Sequence, residues 1–303
     1  MLAYTHPACM AHDTGPGHPE SPARLETVLQ AVRAAFPDAQ WRDAPAASRD
    51  HLLRVHTRDL VARVLDTPVE GLYRLDEDTV LSPGSARAAL HAAGAAVAAV
   101  DAVLAGEDRL AFCAVRPPGH HAEAGRAMGF CLFNSVAVAA AHAVMEHGLR
   151  RVSIVDFDVH HGNGSQAIFQ DEARVQYLSS HQSPLFPDTG LAHERGMNNI
   201  RNAPLPAGSG GEAFRAAWRE ILLPALEAFR PELLLVSAGF DGHRLDPLAD
   251  LELEADDYQW LCAELAAAAG RHSQGRIVSL LEGGYSLGAL RSSVVAHLRG
   301  LGA

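Results

Sequence analysis

Lysine is missing from this chain of 303 residues, because all 25 basic residues are arginine. A Schiff-base lysine and a lysine-dependent phosphate-binding loop are therefore both excluded. Acidic residues outnumber basic ones by 36 to 25, which gives a net charge of −11. Because nonspecific nucleic-acid binding depends on neutralising phosphates, this balance predicts no nucleic-acid partner and suits a cationic substrate.

Cysteine is scarce as well. The 4 cysteines lie far apart and form no C-x-x-C pair, so the sequence indicates neither a disulfide framework nor a cysteine-rich zinc module. The first residues lack a basic start followed by an apolar run, so no signal peptide is predicted. The alanine-rich stretch 88–105 contains His91 and Asp101, which argues against a membrane span. We therefore expect a cytoplasmic protein with no membrane contact.

Apolar runs of strand length alternate with longer segments of helical period along the whole chain. The predicted strands cover 2–5, 110–115, 151–159, 175–179, 232–237 and 276–281. The predicted helices cover 22–36, 49–65, 83–105, 134–147, 211–229, 256–270 and 286–299, with Asn134 and Ser286 as N-caps. The strands mostly lack polar alternation, as parallel strands buried on both faces do. The pattern predicts one α/β domain over 1–303, an open and mostly parallel sheet with helices on both faces.

Five of these strands end in segments rich in Gly, His, Asp and Tyr. Since open α/β sheets bind ligands beyond the carboxyl ends of their strands, we expect the active site at this edge. The segments are RPPGHH at 116–121, DFDVHHGNG at 156–164, SSH at 179–181, SAGFDGH at 237–243 and EGGY at 282–285. The 17 histidines of the chain cluster partly in these segments.

The segment 151–159 carries the strongest local signal for a metal ion. Read as a strand continuing to His160, it places Asp156, Asp158 and His160 on one side. Two carboxylates and an imidazole are costly to bury without a cation, and Asp and His ligands suit zinc or a similar divalent ion. Asp241, at another strand end, is the best third ligand. The alternative interpretations are a salt-bridged strand with a capping histidine and, for Asp241, a helix cap.

His120, His121 and Tyr285 are candidates for the acid–base and oxyanion chemistry. Adjacent histidines at a strand end facing a metal are suited to remove a proton from water and return it to a leaving group. A tyrosine after two glycines is suited to donate to a developing oxyanion. Solvent-exposed histidines and a tyrosine stacked in the core are the alternatives that the residues leave open.

Seven motifs in the same order resemble the histone deacetylase superfamily, in particular its class II and bacterial amidohydrolase-like branch. They are GHPESPARL at 17–25, RPPGHHA at 116–122, MGFCLFN at 128–134, DFDVHHGNG at 156–164, PDTG at 187–190, SAGFDGH at 237–243 and EGGY at 282–285. The resemblance covers nearly the whole chain and implies an arginase/deacetylase-like fold. It also implies a relation to the acetylpolyamine amidohydrolases.

The resemblance implies two kinds of bound metal. Asp158, His160 and Asp241 would hold Zn²⁺, with Fe²⁺ as the alternative ion. A structural K⁺ would lie near Asp156 and Ser179.

The resemblance also implies roles in catalysis. His121 would act as the general base on metal-activated water, His120 would act electrostatically or as the acid, and Tyr285 would stabilise the oxyanion. Asp156 would orient His120. Asn163 would orient His121, at a position where many class I members carry Asp.

For the substrate, the resemblance implies a narrow tunnel. Phe130 and Phe186 would form its two walls, with the Gly129 carbonyl nearby. Asp78 would sit at the rim and accept hydrogen bonds from the substrate backbone. Arg24 would line a channel below the zinc through which acetate leaves.

These residues together imply zinc-dependent hydrolysis of N-acetyl or other short N-acyl amides on lysine-like primary amines. The partner is then an acylated amine or peptide, and the resemblance allows a homo-oligomer. The segment 180–190 resembles the acetyl-lysine type. An acetylpolyamine amidohydrolase is the alternative within the same enzyme class, and a catalytically silent protein that binds acyl ligands is the alternative outside it.

Overall fold

Eight parallel strands form the central sheet of the computed structural model, which describes all residues, Met1–Ala303. Their order across the sheet is β2-β1-β5-β10-β9-β6-β7-β8, and a separate antiparallel hairpin joins β3 and β4. The strands are β1 Leu2–Thr5, β2 Gln40–Asp43, β3 Tyr73–Arg74, β4 Val80–Leu81, β5 Leu110–Cys113, β6 Val152–Asp156, β7 Val175–Gln182, β8 Ile200–Leu205, β9 Leu233–Ala238 and β10 Ile277–Leu281. Helices surround this sheet, so the predicted α/β class is confirmed.

Each predicted helix has a counterpart, although two of them are interrupted. The helices are α1 Pro22–Ala35, α2 Arg49–Leu53, α3 Arg58–Leu65, α4 Ser85–Leu104, α5 Ser135–Met145, α6 Asn163–Phe169, α7 Gly211–Ala217, α8 Leu223–Phe229, α9 Ala255–His272 and α10 Leu287–Gly300. A 3₁₀ helix spans Pro7–Ala11, and a π-helical turn, Trp218–Leu222, separates α7 from α8. Pro224 follows that turn and has no N–H for the regular helical ladder.

The carboxyl ends of the central strands lie level with one another. Asp156 at the end of β6 pairs with Ser237 on β9 and with Ser179 on β7. At the end of β10, Leu281 pairs with Ala238. The loops that leave β6, β9 and β10 therefore start side by side at one edge of the sheet.

The predicted strand 151–159 is too long, because β6 ends at Asp156. Asp158 and His160 lie in the following loop, so the expected alternation of faces is wrong for them. An oxygen of Asp156 accepts from the Asp158 N–H at 3.1 Å, and an oxygen of Asp158 accepts from the His160 N–H at 3.0 Å. These side chain–backbone hydrogen bonds replace the sheet ladder and turn both side chains into the site.

Sequence patterns do not predict the two edge strands, β2 and β8. The sequence of β2 is QWRD, all of it partly or fully exposed, and β8 contains Asn202 and Pro204. An edge strand need not be apolar on both faces, and it tolerates proline where no partner needs the N–H. Both strands therefore lack the continuous apolar run that marks the central ones.

Helix α4 is long and apolar enough to cross a membrane by length and composition alone. In the fold, however, 72% of its most apolar window is buried inside the protein. Core helices of globular domains have the same character. The cytoplasmic location stays a prediction.

Candidate active site

A pocket of about 250 Å³ opens at the carboxyl ends of the central strands. The loops after β5, β6, β7, β9 and β10 all contribute to it, as expected for an open parallel sheet. Its lining consists of Asp78, His121, Gly129, Phe130, His160, Leu185, Phe186, Leu248 and Tyr285. Apolar walls with a few convergent polar groups are typical of a small-ligand site.

Asp158, His160 and Asp241 form a buried cluster at this pocket. One donor atom from each lies within 4.8 Å of the others, and His160 Nδ1 is 3.1 Å from Asp158 Oδ1 and 3.3 Å from Asp241 Oδ2. Backbone N–H groups hold the carboxylates, since Gly283 donates to Asp158 Oδ2 and Val159 donates to Asp241 Oδ1, each at 2.8 Å. The fold thus brings together the three ligands predicted for the metal.

The cluster fits a divalent cation on two counts. Asp241 Oδ2 is buried and accepts no well-aligned hydrogen bond, although His160 Nδ1 lies 3.3 Å away. Burying such a carboxylate oxygen is costly unless a cation neutralises it. Burial, together with the neighbouring Asp158, raises the pKa of Asp241 to about 7. Without a cation, this carboxyl therefore tends to bind a proton near neutral pH. Two carboxylates and one imidazole are a donor set that zinc and ferrous iron accept.

Two glycines leave the room that the cluster needs. A Cβ at Gly239 would clash with the Asp158 carboxylate, and one at Gly283 would clash with the carboxylates of both Asp158 and Asp241. Glycine is therefore required by close approach at these two positions. This explains why both motifs, 237–243 and 282–285, contain glycine next to chemistry-bearing residues.

The tandem histidines have opposite electrostatic surroundings. His120 Nδ1 donates to Asp156 Oδ2 at 3.0 Å. Burial disfavours the charged form of His120, but the charges of Asp156 and Asp158 outweigh burial and raise the pKa of His120 well above its usual value. Burial, together with His120 and His160, lowers the pKa of His121 well below its usual value. Paired titratable groups with pKa values pushed apart are typical of an acid and a base.

Asn163 orients His121 and is itself held by an acid. Its Oδ1 accepts from His121 Nδ1 at 2.9 Å, and its Nδ2 donates to Glu123 Oε1 at 2.8 Å. Because Nδ1 of the neutral His121 ring carries the proton, Nε2 is left free to accept one. The amide is suited to this place because it accepts on one side and donates on the other.

Asp156 links the site to the sheet. Besides His120, its carboxylate accepts from the Tyr177 hydroxyl at 3.0 Å and from the Asp158 N–H. Ser179 pairs with Asp156 across β6 and β7. The predicted K⁺ beside these two residues stays a prediction.

Tyr285 stands on a turn that begins with Gly283 and Gly284. Gly284 has φ +118°, a conformation that favours glycine. Burial raises the pKa of the Tyr285 phenol well above its usual value, so the hydroxyl keeps its proton and is a donor. The Phe130 ring meets the Tyr285 ring edge-on at a centroid distance of 5.8 Å.

The remaining residues predicted for the substrate line the pocket. The Phe186 ring lies 5.2 Å from the His121 ring and is 40% exposed, which places it at the opening. Gly129 and Phe130 both have positive φ, +56° and +67°, and a Cβ at Gly129 would press on the His121 ring. Asp78 completes the lining on the hairpin side.

Arg24, for which the resemblance implies a channel below the metal site, is not among the residues that line the pocket. It is fully buried, and its guanidinium donates to the carbonyls of Gly284 and Glu282 and to the Glu20 carboxylate. Its Cζ stands 4.9 Å above the Tyr285 ring. Two of its nitrogens, Nε and Nη2, thus hold the backbone of the tyrosine turn, and Nη1 pairs with Glu20. A role in an exit channel stays a prediction.

Three acidic residues of the site escaped the sequence analysis. Glu282 accepts the N–H groups of Gly119 and His120 at 2.6 and 3.2 Å, so it holds the histidine loop. Glu20 forms a buried ion cluster with Arg24 and Arg116, and Asp246 contacts the tyrosine turn. Glu20 lies in the motif at 17–25, and Glu282 lies in the motif at 282–285. A charged residue within a motif that is expected to be buried is the signal that could have identified both.

A second cluster of metal-binding residue types consists of Asp101, His142 and His147. The Nε2 atoms of His142 and His147 each lie 2.7 Å from Asp101 Oδ1. Arg54 donates to His142 Nδ1 at 2.7 Å, so this ring carries its proton on Nε2 and donates it to Asp101. The cluster is therefore satisfied by protons, and Asp101 and His147 are partly exposed.

Comparison with known proteins agrees with this geometry. A family model for the histone deacetylase domain matches residues 18–301. A histone deacetylase-like amidohydrolase of Pseudomonas aeruginosa is 44% identical over 280 residues, covering 89% of this chain and 73% of that protein. A probable deacetylase of Archaeoglobus fulgidus is 37% identical, covering 94% of this chain and 81% of that protein.

The fold gives the same result. A crystal structure of the HDA15 HD domain matches with a TM-score of 0.94 and 34% sequence identity, covering 99% of this chain and 89% of that one. The residues that match the family model include every residue that lines the pocket or forms the acidic cluster. This chain belongs to the histone deacetylase family and is a hydrolase.

Proposed function

We propose that this protein hydrolyses N-acetyl and other short N-acyl amides of lysine-like primary amines with the help of a divalent metal ion. One observation carries the proposal: the buried Asp158, His160 and Asp241 meet at a narrow pocket that His121 and Tyr285 also line. In this proposal the three residues are the cation site, His121 is the proton acceptor and Tyr285 is the oxyanion donor, and amide hydrolysis requires all of these around one small volume.

Asp158, His160 and Asp241 would hold the ion, Zn²⁺ or alternatively Fe²⁺. When bound, such an ion supplies Lewis-acid polarisation of a carbonyl and lowers the pKa of water toward about 7. We also propose a structural K⁺ near Asp156 and Ser179.

His121 acts as the general base in this proposal. Its lowered pKa keeps the ring neutral, its Nδ1 is committed to Asn163, and its remaining nitrogen takes the proton from the attacking water. His120, whose pKa is raised beside Asp156 and Asp158, stays protonated and stabilises negative charge. The proton then passes to the departing amine, which general acid–base catalysis requires.

Tyr285 donates a hydrogen bond to the developing oxyanion. Its phenol is neutral because burial raises its pKa, and a preorganised donor in a dry site costs no reorganisation during the reaction. Phe130 and Phe186 exclude water on the opposite sides of the pocket, which strengthens this interaction.

The surroundings of the pocket favour an acyl-lysine in a peptide over an acylated polyamine. A groove of about 590 Å³ adjoins the pocket, with Asp78 and Phe130 common to both. It runs along the loop Thr14–Pro19 and the β3–β4 hairpin and offers room for residues that flank the acylated side chain. Asp78 at the junction would accept hydrogen bonds from the peptide backbone.

A substrate panel with enzyme of defined metal content tests the proposal. We expect acetyl-lysine peptides to be hydrolysed faster than acetylputrescine, and Tyr285→Phe to lower kcat by about 10²- to 10³-fold while metal content stays normal. Tyr258→Phe is the matched control, because the buried Tyr258 hydroxyl has no hydrogen-bond partner. Preference for acetylputrescine would assign the polyamine activity instead, and no hydrolysis of any acyl amide would leave a binding protein.

A further inference from the structure

The turn that carries Tyr285 needs support from outside its own sequence. It begins with Gly283 and Gly284, whose backbones are intrinsically permissive. The N-cap of the following helix α10 is Ser286, but its side chain makes no capping hydrogen bond. The backbone that leads into α10 is therefore not held by its own cap residue.

Asp246 holds the two residues that directly precede α10. Its Oδ2 accepts from the N–H of Tyr285 at 2.7 Å and from the N–H of Ser286 at 3.2 Å, while its Oδ1 accepts from the N–H of Leu248 at 3.1 Å. The carboxylate is 8% exposed. A negative charge at the N-terminus of a helix is also favourable toward the helix dipole.

The segment that carries Asp246 also builds other parts of the site. Asp241, in the acidic cluster, precedes it by five residues, and Leu248, which lines the pocket, follows it by two. One short segment thus positions a metal ligand, a wall of the pocket and the tyrosine turn. The segment therefore connects the acidic cluster to the backbone that carries Tyr285.

We propose that Asp246 is a positioning residue that holds the Tyr285 hydroxyl in place for the oxyanion. This inference rests on the proposed function, because it takes Tyr285 as the oxyanion donor. Asp246 itself does not line the pocket. The competing explanation is that Asp246 only caps α10 and stabilises the fold.

A double-mutant cycle separates the two explanations. Asp246→Ala should lower kcat by about 10- to 100-fold, the range typical of outer partners that orient active-site groups, with KM and metal content little changed. In a Tyr285→Phe background the same substitution should cost almost nothing more, because no hydroxyl remains to be positioned. Asp246→Asn keeps an acceptor oxygen and should retain most of the turnover.

Asp250→Ala is the control, since Asp250 lies on the same segment and its side chain contacts Gln182 rather than the tyrosine turn. Wild-type kcat in Asp246→Ala, or losses that add in the double variant, overturns the inference. If Tyr285→Phe itself keeps wild-type kcat, the proposed role of Tyr285 fails first, and the role of Asp246 fails with it. The single Tyr285 variant thus distinguishes the two failures.

Discussion

Replacing Asn163 by aspartate tests how His121, the proposed general base, is held. Aspartate matches asparagine in size and keeps an oxygen that can accept from His121 Nδ1. In this structure, however, Asn163 Nδ2 donates to Glu123 Oε1 at 2.8 Å. Asn163→Asp turns this hydrogen bond into a contact between two carboxylates.

The size of the effect follows from that distance. Two like charges 2.8 Å apart repel by about 6 kcal/mol at an effective dielectric constant of about 20. Glu123 is partly exposed, so solvent screening and side-chain movement reduce this value. We expect Asn163→Asp to lower the free energy of unfolding by about 2–4 kcal/mol, which includes the lost hydrogen bond to a charged group.

The same substitution acts on His121. A carboxylate in contact with Nδ1 favours the imidazolium and raises the pKa of His121. Because the base must be neutral, activity gained on deprotonation of His121 then appears at higher pH. The acid limb of the kcat/KM–pH profile should shift to higher pH than in the wild-type enzyme.

The variant Asn163→Asp/Glu123→Gln separates the two effects. The glutamine amide donates to the new carboxylate, so stability should return while the shifted pH profile remains. Glu123→Gln alone is the control and should change both properties little. Denaturant unfolding and pH–rate profiles measure the outcome, and wild-type stability in Asn163→Asp would refute the role given to Glu123.

Two further predictions concern the acidic cluster and the buried ion cluster. Gly239→Ala places a Cβ against the Asp158 carboxylate and should lower bound metal, measured by elemental analysis, whereas Gly288→Ala, with open space around its Cβ, should not. Glu20→Gln leaves the buried Arg116 without its counter-charge and should destabilise the fold by about 3–5 kcal/mol in thermal or denaturant unfolding. Burial would raise the pKa of Glu20, but Arg116 outweighs it and lowers the pKa to about 2. The stability that this carboxylate contributes is therefore complete above about pH 4.5 and is lost as the pH falls toward 2. If Glu20→Gln lost as much stability as the wild type between pH 4.5 and pH 2, this assignment to Glu20 would be contradicted.

Residues of the predicted site were recognisable because each short motif is contiguous and follows a buried strand. His120 and His121 are neighbours, and Asp156, Asp158 and His160 lie within five residues. The chemistry of these side chains is unusual for a strand end, so sequence alone marks them. Each of these motifs also follows a different predicted strand of the alternating α/β pattern along the chain.

The local geometry was less predictable than the residue set. The sequence pattern predicts one strand over 151–159 that continues past Asp156. In the structure β6 ends at Asp156, and a loop held by side chain–backbone hydrogen bonds follows. Hydrophobic periodicity does not distinguish the two, because Phe157 and Val159 are buried in either case. Only the backbone path shows that Asp158 and His160 are presented by a loop.

Supporting residues such as Asp246, Glu282 and Arg24 depend on contacts between distant parts of the chain. Asp246 meets Tyr285 across 39 residues, and Glu282 meets Gly119 across 163. No local pattern encodes such a pairing, and the acids look like ordinary turn residues in sequence. The sheet order, which places β10 between β5 and β9, is what brings them together.

The amino-acid sequence by itself determined the fold class and the types of residue available for chemistry, because strand burial and side-chain type are local properties. Folding was needed to decide which carboxylate oxygen lacks a hydrogen bond, in which direction the pKa of each tandem histidine shifts, and what holds the tyrosine. These properties arise from burial and from charges that only folding brings within a few ångströms of one another.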